Sequence, residues 1–292
     1  QGNSAGRFTM TQDSDGPAGF ANCLKLDCTT ADTSIAAGEI LILQQTIEGQ
    51  DLQQLKKGTS SAEQVTISFW VKGNASATAV AEIYDLDNDV HINQLFSITT
   101  DWVRVELTYD GDTAARVFND DNGASLQFNI WLHSGSTFSS GSIQSSWGSN
   151  NGGRAAGISS FYDSTARTFS ITGVQLETGS VATDFEHRSY GEILADCQRF
   201  YQTTGTISYY PLTRYRHASG VPISWFTYAT VMRTAPSITA TGTWNSTNGY
   251  AGTPTFNDIT SRGMRLTSAT GNVSANQTVY LYNGNINFDA EL

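Results

Sequence analysis

Two tryptophans stand among the residue types that bind sugars. Trp70 shares one side of the alternating run Val65–Lys72 with Thr66 and Ser68. Trp131 shares one side of a second run, Leu126–His133, with Gln127, Asn129 and His133. An indole stacks on the apolar C–H face of a pyranose, while amides and hydroxyls bond its hydroxyl groups. One reading is a concave carbohydrate-binding face. The plainer alternative is that each indole packs under a loop or against another subunit, since Trp is mostly buried. Trp147 lies in the middle of the Ser-, Gly- and Asn-rich stretch Ser134–Gly157 and joins the candidate face. A connection that long is usually functional or covered by a neighbour.

More aromatics crowd the C-terminal part: Tyr209, Tyr210, Tyr215, Trp225, Tyr228, Trp244 and Tyr250. Trp244 and Tyr250 flank the turn-like Asn245–Gly249 and are candidate carbohydrate contacts at a distal tip. The alternative is a core or subunit interface, where Tyr and Trp are enriched. Asp85, Asp87 and Asp89 alternate in Asp85-Leu86-Asp87-Asn88-Asp89 and offer oxygen ligands to Ca²⁺. The EF-hand pattern needs Gly at its sixth position and Glu at its twelfth, where this chain has Val90 and Phe96, so a solvated acidic turn is the alternative. No other cofactor is implied. For catalysis the chain is nearly empty. His91, His133, His187 and His217 are isolated, and no nucleophile elbow, zinc-protease or phosphate-loop motif occurs. Glu177, Asp184 and Glu186 are conceivable as a glycosidase acid–base pair. Charge pairing with Arg188, or hydrogen bonding to backbone, is the reading preferred for them, and the chain is expected not to be an enzyme.

These side chains need strands to place them. Charged residues are only 15% and aromatics 11%, and the polar balance falls to Ser, Thr, Asn, Gln and Gly. Such a composition excludes a disordered chain, argues against a helical bundle and points to an all-β protein. Strand candidates are Arg7–Gln12, Ala21–Leu26, Glu39–Ile47, Val65–Lys72, Ala79–Tyr84, Val90–Ser97, Trp102–Leu107, Leu126–His133 and Thr168–Leu176. Half-buried strands in that number match a jelly-roll β-sandwich. Ser189-Tyr190-Gly191-Glu192 has the form of a capping box, and Ile193, Leu194, Cys197, Phe200 and Tyr201 follow at helical spacing. A helix over 190–202 is therefore expected. Beyond it, Pro222–Val231, Pro236–Thr241, Val273–Tyr282 and Asn285–Asp289 read as strands, with turns at Asn248-Gly249, Asn272 and Asn283-Gly284. The division is 1–180, a jelly-roll domain; 181–204, a linker and short helical joint; and 205–292, a smaller C-terminal β domain.

Net charge is −11. Residues 1–204 hold 11 basic and 24 acidic groups, and 205–292 hold 5 and 3, which again suggests two separately built halves. An acidic, Lys-poor chain is a poor partner for nucleic acid or anionic lipid. No apolar run approaches the ~20 residues of a membrane span. Cys23, Cys28 and Cys197 form neither a disulfide framework nor a zinc spacing and read as small buried hydrophobes. The start, Gln1-Gly2-Asn3, shows no signal peptide and reads as a processed or partial product.

One stretch is familiar. Gly173-Val174-Gln175-Leu176-Glu177, followed by Gly179-Ser180-Val181-Ala182-Thr183 and Phe185-Glu186-His187-Arg188-Ser189-Tyr190-Gly191-Glu192, resembles bacteriophage tail-fibre and related virion surface proteins. Met232-Arg233-Thr234-Ala235-Pro236 and the ending Phe288-Asp289-Ala290-Glu291-Leu292 resemble their C-terminal domain, and Thr66–Lys72 is similar to a strand of their carbohydrate-binding-module-like jelly roll. Asp184 stands where Pro is more usual. The resemblance implies a virion protein, placed on the tail in preference to the head. It also implies a homotrimer whose joint helices meet through Ile193, Leu194, Cys197, Phe200 and Tyr201. Its other partners would be neighbouring virion proteins of tail, baseplate or capsid, and host surface polysaccharide. A head or tail decoration protein and a polysaccharide depolymerase are the alternatives.

Overall fold

The computed structural model describes residues 5–149, 151–208, 210–212, 223–246, 253–267 and 279–292. Tyr209, Tyr215, Tyr250, His217 and the expected turns at Asn248-Gly249 and Asn272 lie outside these. The chain forms two compact units, Gln1–Glu186 and His187–Leu292. Among the described residues no helix is long and apolar enough to cross a membrane.

The first unit is a jelly-roll-type β-sandwich. Its strands are β1 Phe8–Asp13, β2 Cys23–Cys28, β3 Ile40–Glu48, β4 Val65–Gly73 and β5 Ala77–Asp85, then β6 Val90–Ile98, β7 Val103–Tyr109, β8 Ala124–Ser134, β9 Gly148–Ser149 and β10 Thr168–Thr178. One sheet runs β1-β2-β10-β4-β7 and the other β3-β8-β5-β6-β9, antiparallel throughout. The alternation read in β4 and β8 puts Ile67, Phe69 and Val71 opposite Phe128 and Ile130 in one core. Phe69 meets Phe96 edge-on at 5.2 Å. Each such side chain taken out of water contributes about 1.5–3 kcal/mol. The Tyr109 hydroxyl crosses between the sheets to donate to the Ala81 carbonyl at 3.0 Å. Cys23 and Cys28 are buried, whereas Cys197 is exposed.

β10 carries a bulge between Thr172 and Gln175. Gly173 adopts a positive φ of 61° there, and a Cβ on it would come within 2.6 Å of the Phe20 ring. Only glycine meets both demands.

The second unit opens with the helix Tyr190–Phe200, capped by the reciprocal Ser189–Glu192 box. It stops two residues before the expected end, because Tyr201–Thr203 pairs as a strand with Asn287–Asp289. The strands here are β11 Tyr201–Thr203, β12 Tyr210–Leu212, β13 Ile223–Thr227, β14 Ser237–Ser246, β15 Thr255–Asn257, β16 Gly263–Thr267 and β17 Val279–Asp289. β17 pairs with β11, β12 and β14, while β13-β16-β15 form a separate sheet. The Asn283-Gly284 signal does not end a strand. Asn283 takes a positive φ of 67° within β17, and the β14–β17 register slips between Gly242 and Asn245. Phe226, Tyr228 and Phe288 pack together in the core with Trp244.

Candidate functional site

β8 does bring Gln127, Asn129, Trp131 and His133 to one face of its sheet, but that face is not open. The connection after β8 folds back over it, with Phe138, Ile143, Ala155 and Ile158 packed in one cluster with Trp131. Trp131 is 1% exposed and Asn129 and His133 are fully buried; Gln127 is half-buried. At the centre stands Glu82, outward-facing on β5 and wholly buried. Arg154, from the covering segment, donates to both its carboxylate oxygens at 2.7 and 2.8 Å. The Trp131 indole N–H donates at 2.9 Å and the Asn129 amide at 3.0 Å. His91 Nδ1 lies 3.3 Å away. Burial alone would raise the Glu82 carboxyl; the hydrogen bonds from Arg154 and Trp131, the charge of Arg154 and the nearby His91 ring override it and hold it at about 2. The guanidinium also lies 4.4 Å from the Tyr84 ring centre and 5.1 Å from that of Trp131. The expected sugar face of β8 is therefore filled by the protein's own arginine. Glu82 and Arg154 were not singled out from sequence. The available signal was a glutamate in mid-strand, flanked by inward Ala81 and Ile83.

Trp70 is half-buried on the outer face of the other sheet, beside Phe20 and Gly173. The segment after β10 returns to this sheet and is clasped to it. Gln175 accepts from the Glu186 N–H at 2.8 Å and donates to Thr183 Oγ1 at 3.2 Å and the Asp184 carbonyl at 3.3 Å. Glu177 accepts from both the Thr183 N–H and its hydroxyl. Arg104 donates to the Thr183 carbonyl, and Phe20 meets Phe185 at 5.1 Å. Residues 175–186 thus form an internal clasp in the first unit. Arg188 pairs with Asp196 at 2.6 Å.

Asp85, Asp87 and Asp89 do not converge on a common point. Asp85 is buried against Lys57 Nζ at 2.5 Å and accepts from Asn88. Asp87 accepts from the backbone and side chain of Asn119. Asp89 accepts from the Tyr84 hydroxyl at 2.6 Å. Each carboxylate has its own protein partner. Lys57 also pairs with Asp112 at 2.9 Å, and the Trp147 ring lies 5.1 Å from its ammonium. Trp147 therefore helps to enclose a buried cation.

In the second unit Trp244 is buried, its ring filling the space where Gly284 has no side chain. The exposed indole is Trp225, at 53%. Strand pairing puts Trp225 level with Arg265, and Arg265 level with Asn257. Ile223, Thr267 and Thr255 form the next row on the same face, since side chains two apart along a strand share it. Asn257 donates to Thr267 Oγ1 at 3.1 Å, and Arg265 pairs with Asp258 at 2.8 Å. A Cβ on Gly263 would stand 3.0 Å from the indole nitrogen, so the bare glycine makes room for the ring. The result is an aromatic surface edged by a guanidinium, an amide and hydroxyls.

The helix Tyr190–Phe200 buries none of its residues. Ile193 and Leu194 are 45% and 39% exposed, Cys197 and Tyr201 are exposed, and Phe200 is half-buried. In the first unit, an apolar cleft of about 340 Å³ opens between Leu24, Ile171 and Val174 on one sheet and Leu43, Phe128 and Ile130 on the other. Gln44 and Gln45 complete its lining.

No family model and no curated protein matches the chain. Solved structures similar to it include a CBM4 structure, at 15% identity, covering 59% of this chain and 90% of the other with a TM-score of 0.32. Another is the CBM22-1 xylan-binding domain of Paenibacillus barcinonensis Xyn10C, at 14% identity over 62% and 86%, TM-score 0.32. A third is a family 30 carbohydrate-binding module, at 12% identity over 66% and 88%, TM-score 0.33. The all-β architecture rests on the strand pairings themselves; TM-scores near 0.3 do not bear on ligand or mechanism.

Proposed function

We propose that the chain is a non-catalytic attachment protein that binds surface glycans through the outer face of β13-β16-β15. The observation that carries this is Trp225, 53% exposed in a row with Arg265 and Asn257, while Trp131 and Trp244 are buried. A flat aromatic with neutral hydrogen-bonding neighbours suits a pyranose, and Arg265 favours one bearing a carboxylate or other acidic group. The carboxylates Glu82 and Glu177 are committed to internal hydrogen bonds, which supports a binding role over hydrolysis.

The stretch Gly173–Glu192, which resembles phage virion proteins, supports a place on a virion tail displaying this face to the host. The uncovered apolar side of the helix at 190–200 supports a homotrimer. A glycan array and host cell-wall polysaccharide, probed with the wild type and Trp225→Ala, test the reading. Binding by the wild type and at least a tenfold loss in the variant is expected, since aromatic contacts at hot spots exceed about 1.4 kcal/mol. Equal binding by both proteins, or none by the wild type, overturns it.

A further inference from the structure

His133 has a second environment, apart from the Glu82 network. Its ring is fully buried, with the Tyr162 ring edge-on at 4.8 Å. Nδ1 lies 2.7 Å from Ser160 Oγ, which also accepts from the Tyr162 N–H at 3.1 Å. With the imidazole donating from Nδ1 to that oxygen, Nε2 carries the lone pair. Nε2 makes no hydrogen bond, and it faces Glu39 Oε2 at 3.7 Å. Asp32 Oδ2 also makes no hydrogen bond and is buried nearby. One ligand atom from each of Asp32, Glu39 and His133 falls within 4.8 Å of the other two. In that tautomer three lone-pair donors converge, and a cation between them would relieve the repulsion that Arg7 offsets only at Asp32.

We propose that Asp32, Glu39 and His133 form a binding site for a divalent transition-metal ion, with zinc as the fitting member. One imidazole and two carboxylates are ordinary zinc ligands, and a three-ligand set leaves the fourth tetrahedral position to water. Both flanking ligands are oriented from outside, as metal ligands usually are. Ser160 fixes the imidazole. The Ser34 N–H donates to Asp32 Oδ1 at 3.0 Å, and the Ala36 N–H to Glu39 Oε2 at 3.0 Å. Arg7 lies 3.1 Å from Asp32 Oδ2 without hydrogen-bond geometry, and donates instead to the Ala31 carbonyl at 3.0 Å. It offsets one of the two carboxylate charges and leaves the oxygen's lone pairs available.

The site ties the β2–β3 connection, which carries Asp32 and Glu39, to the end of β8. An ion there would brace the rim of the sandwich, where Asp32 N–H already donates to the Tyr162 carbonyl at 2.8 Å. Calcium prefers six to eight oxygens and fits a nitrogen-containing three-ligand set poorly.

The test is calorimetric titration of the metal-stripped full chain with ZnCl₂, with CoCl₂ as a spectroscopic probe and CaCl₂ as the control. The expected result is one zinc per chain, visible-region cobalt absorption, and a melting temperature raised by zinc. Glu39 is partly exposed, so Glu39→Gln should stay folded while losing zinc binding. Ser160→Ala should weaken it by about 10–100-fold, as outer partners do. Circular dichroism of each metal-free variant checks the fold. Absence of saturable zinc binding, zinc binding unchanged in both Glu39→Gln and Ser160→Ala, or calcium binding in preference to zinc, each overturns the proposal.

Discussion

Replacing Arg154 by Met leaves the Glu82 carboxylate buried without its main counter-charge. In the wild type Glu82 titrates at about 2 instead of 4.5, although its side chain is wholly buried. At 1.36 kcal/mol per unit, that depression is worth about 3 kcal/mol of stability. Because the folded pKa is the lower one, this contribution is complete above pH ~4.5 and fades as pH falls toward 2. Removing one partner of a buried pair costs about 3–5 kcal/mol. Arg154→Met should therefore lose about that much at pH 7. Its pH dependence should also reverse for this group. With Arg154 gone, burial raises the carboxyl, so the variant gains relative to the wild type as pH falls and Glu82 takes up a proton. Urea unfolding followed by tryptophan fluorescence at pH 7 and pH 4 measures both. Adding Glu82→Gln to Arg154→Met should restore most of the loss at pH 7, because a neutral amide costs less to bury than an unpaired charge. A deficit below about 1 kcal/mol, or one equal at both pH values, would refute the reasoning.

Three further outcomes are expected. Gly284→Ala should destabilise the second unit by about 1–3 kcal/mol, because the new Cβ would lie 2.0 Å from the Trp244 ring; its melting temperature reports this. Gln175→Ala removes the three bonds that hold residues 183–186, so hydrogen exchange at the Glu186 amide should accelerate while the core strands keep their protection. Ile193→Glu with Leu194→Glu should lower the light-scattering mass from that of a trimer to 31.5 kDa; a wild type already at 31.5 kDa would sink the trimer.

Strand positions were legible where one face met a core and the other did not. β4 and β7 follow their alternation within a residue or two, as Ile67, Phe69, Val105 and Leu107 all face inward. The capping box at Ser189 and Glu192 was equally plain, since it is a local hydrogen-bond pattern. The short strands Thr255–Asn257 and Gly263–Thr267 were missed because each is stabilised by a partner remote from the local pattern. Asn283-Gly284 supplied the left-handed backbone of a turn, and the fold used it inside a long strand. The covering of the β8 face was hidden for a different reason. Alternation shows which residues leave the core, but not what covers them afterwards. At Trp131 the cover is Arg154 and Phe138, the latter 5.5 Å away. Neither is marked in sequence as a partner of β8.

Trp131 and Trp225 illustrate that limit from both sides. Each lies mid-strand with alternating neighbours, and each points away from its own core. The long connection after β8 returns across Trp131 and delivers the Arg154 guanidinium to the Glu82 carboxylate, which already accepts from Trp131 and Asn129. The chain after β13 instead sends Tyr228 and Met232 into the core and leaves Trp225 bare. Removing the Arg154 cover would not turn the first face into a sugar site, because Glu82 would then sit uncharged or draw water into the sheet. The Trp225 face holds no buried carboxylate among the described residues: its guanidinium is ion-paired with Asp258 at 2.8 Å and its amide donates to Thr267 at 3.1 Å. It can therefore stay solvated when free, and exchange that water for sugar hydroxyls when bound.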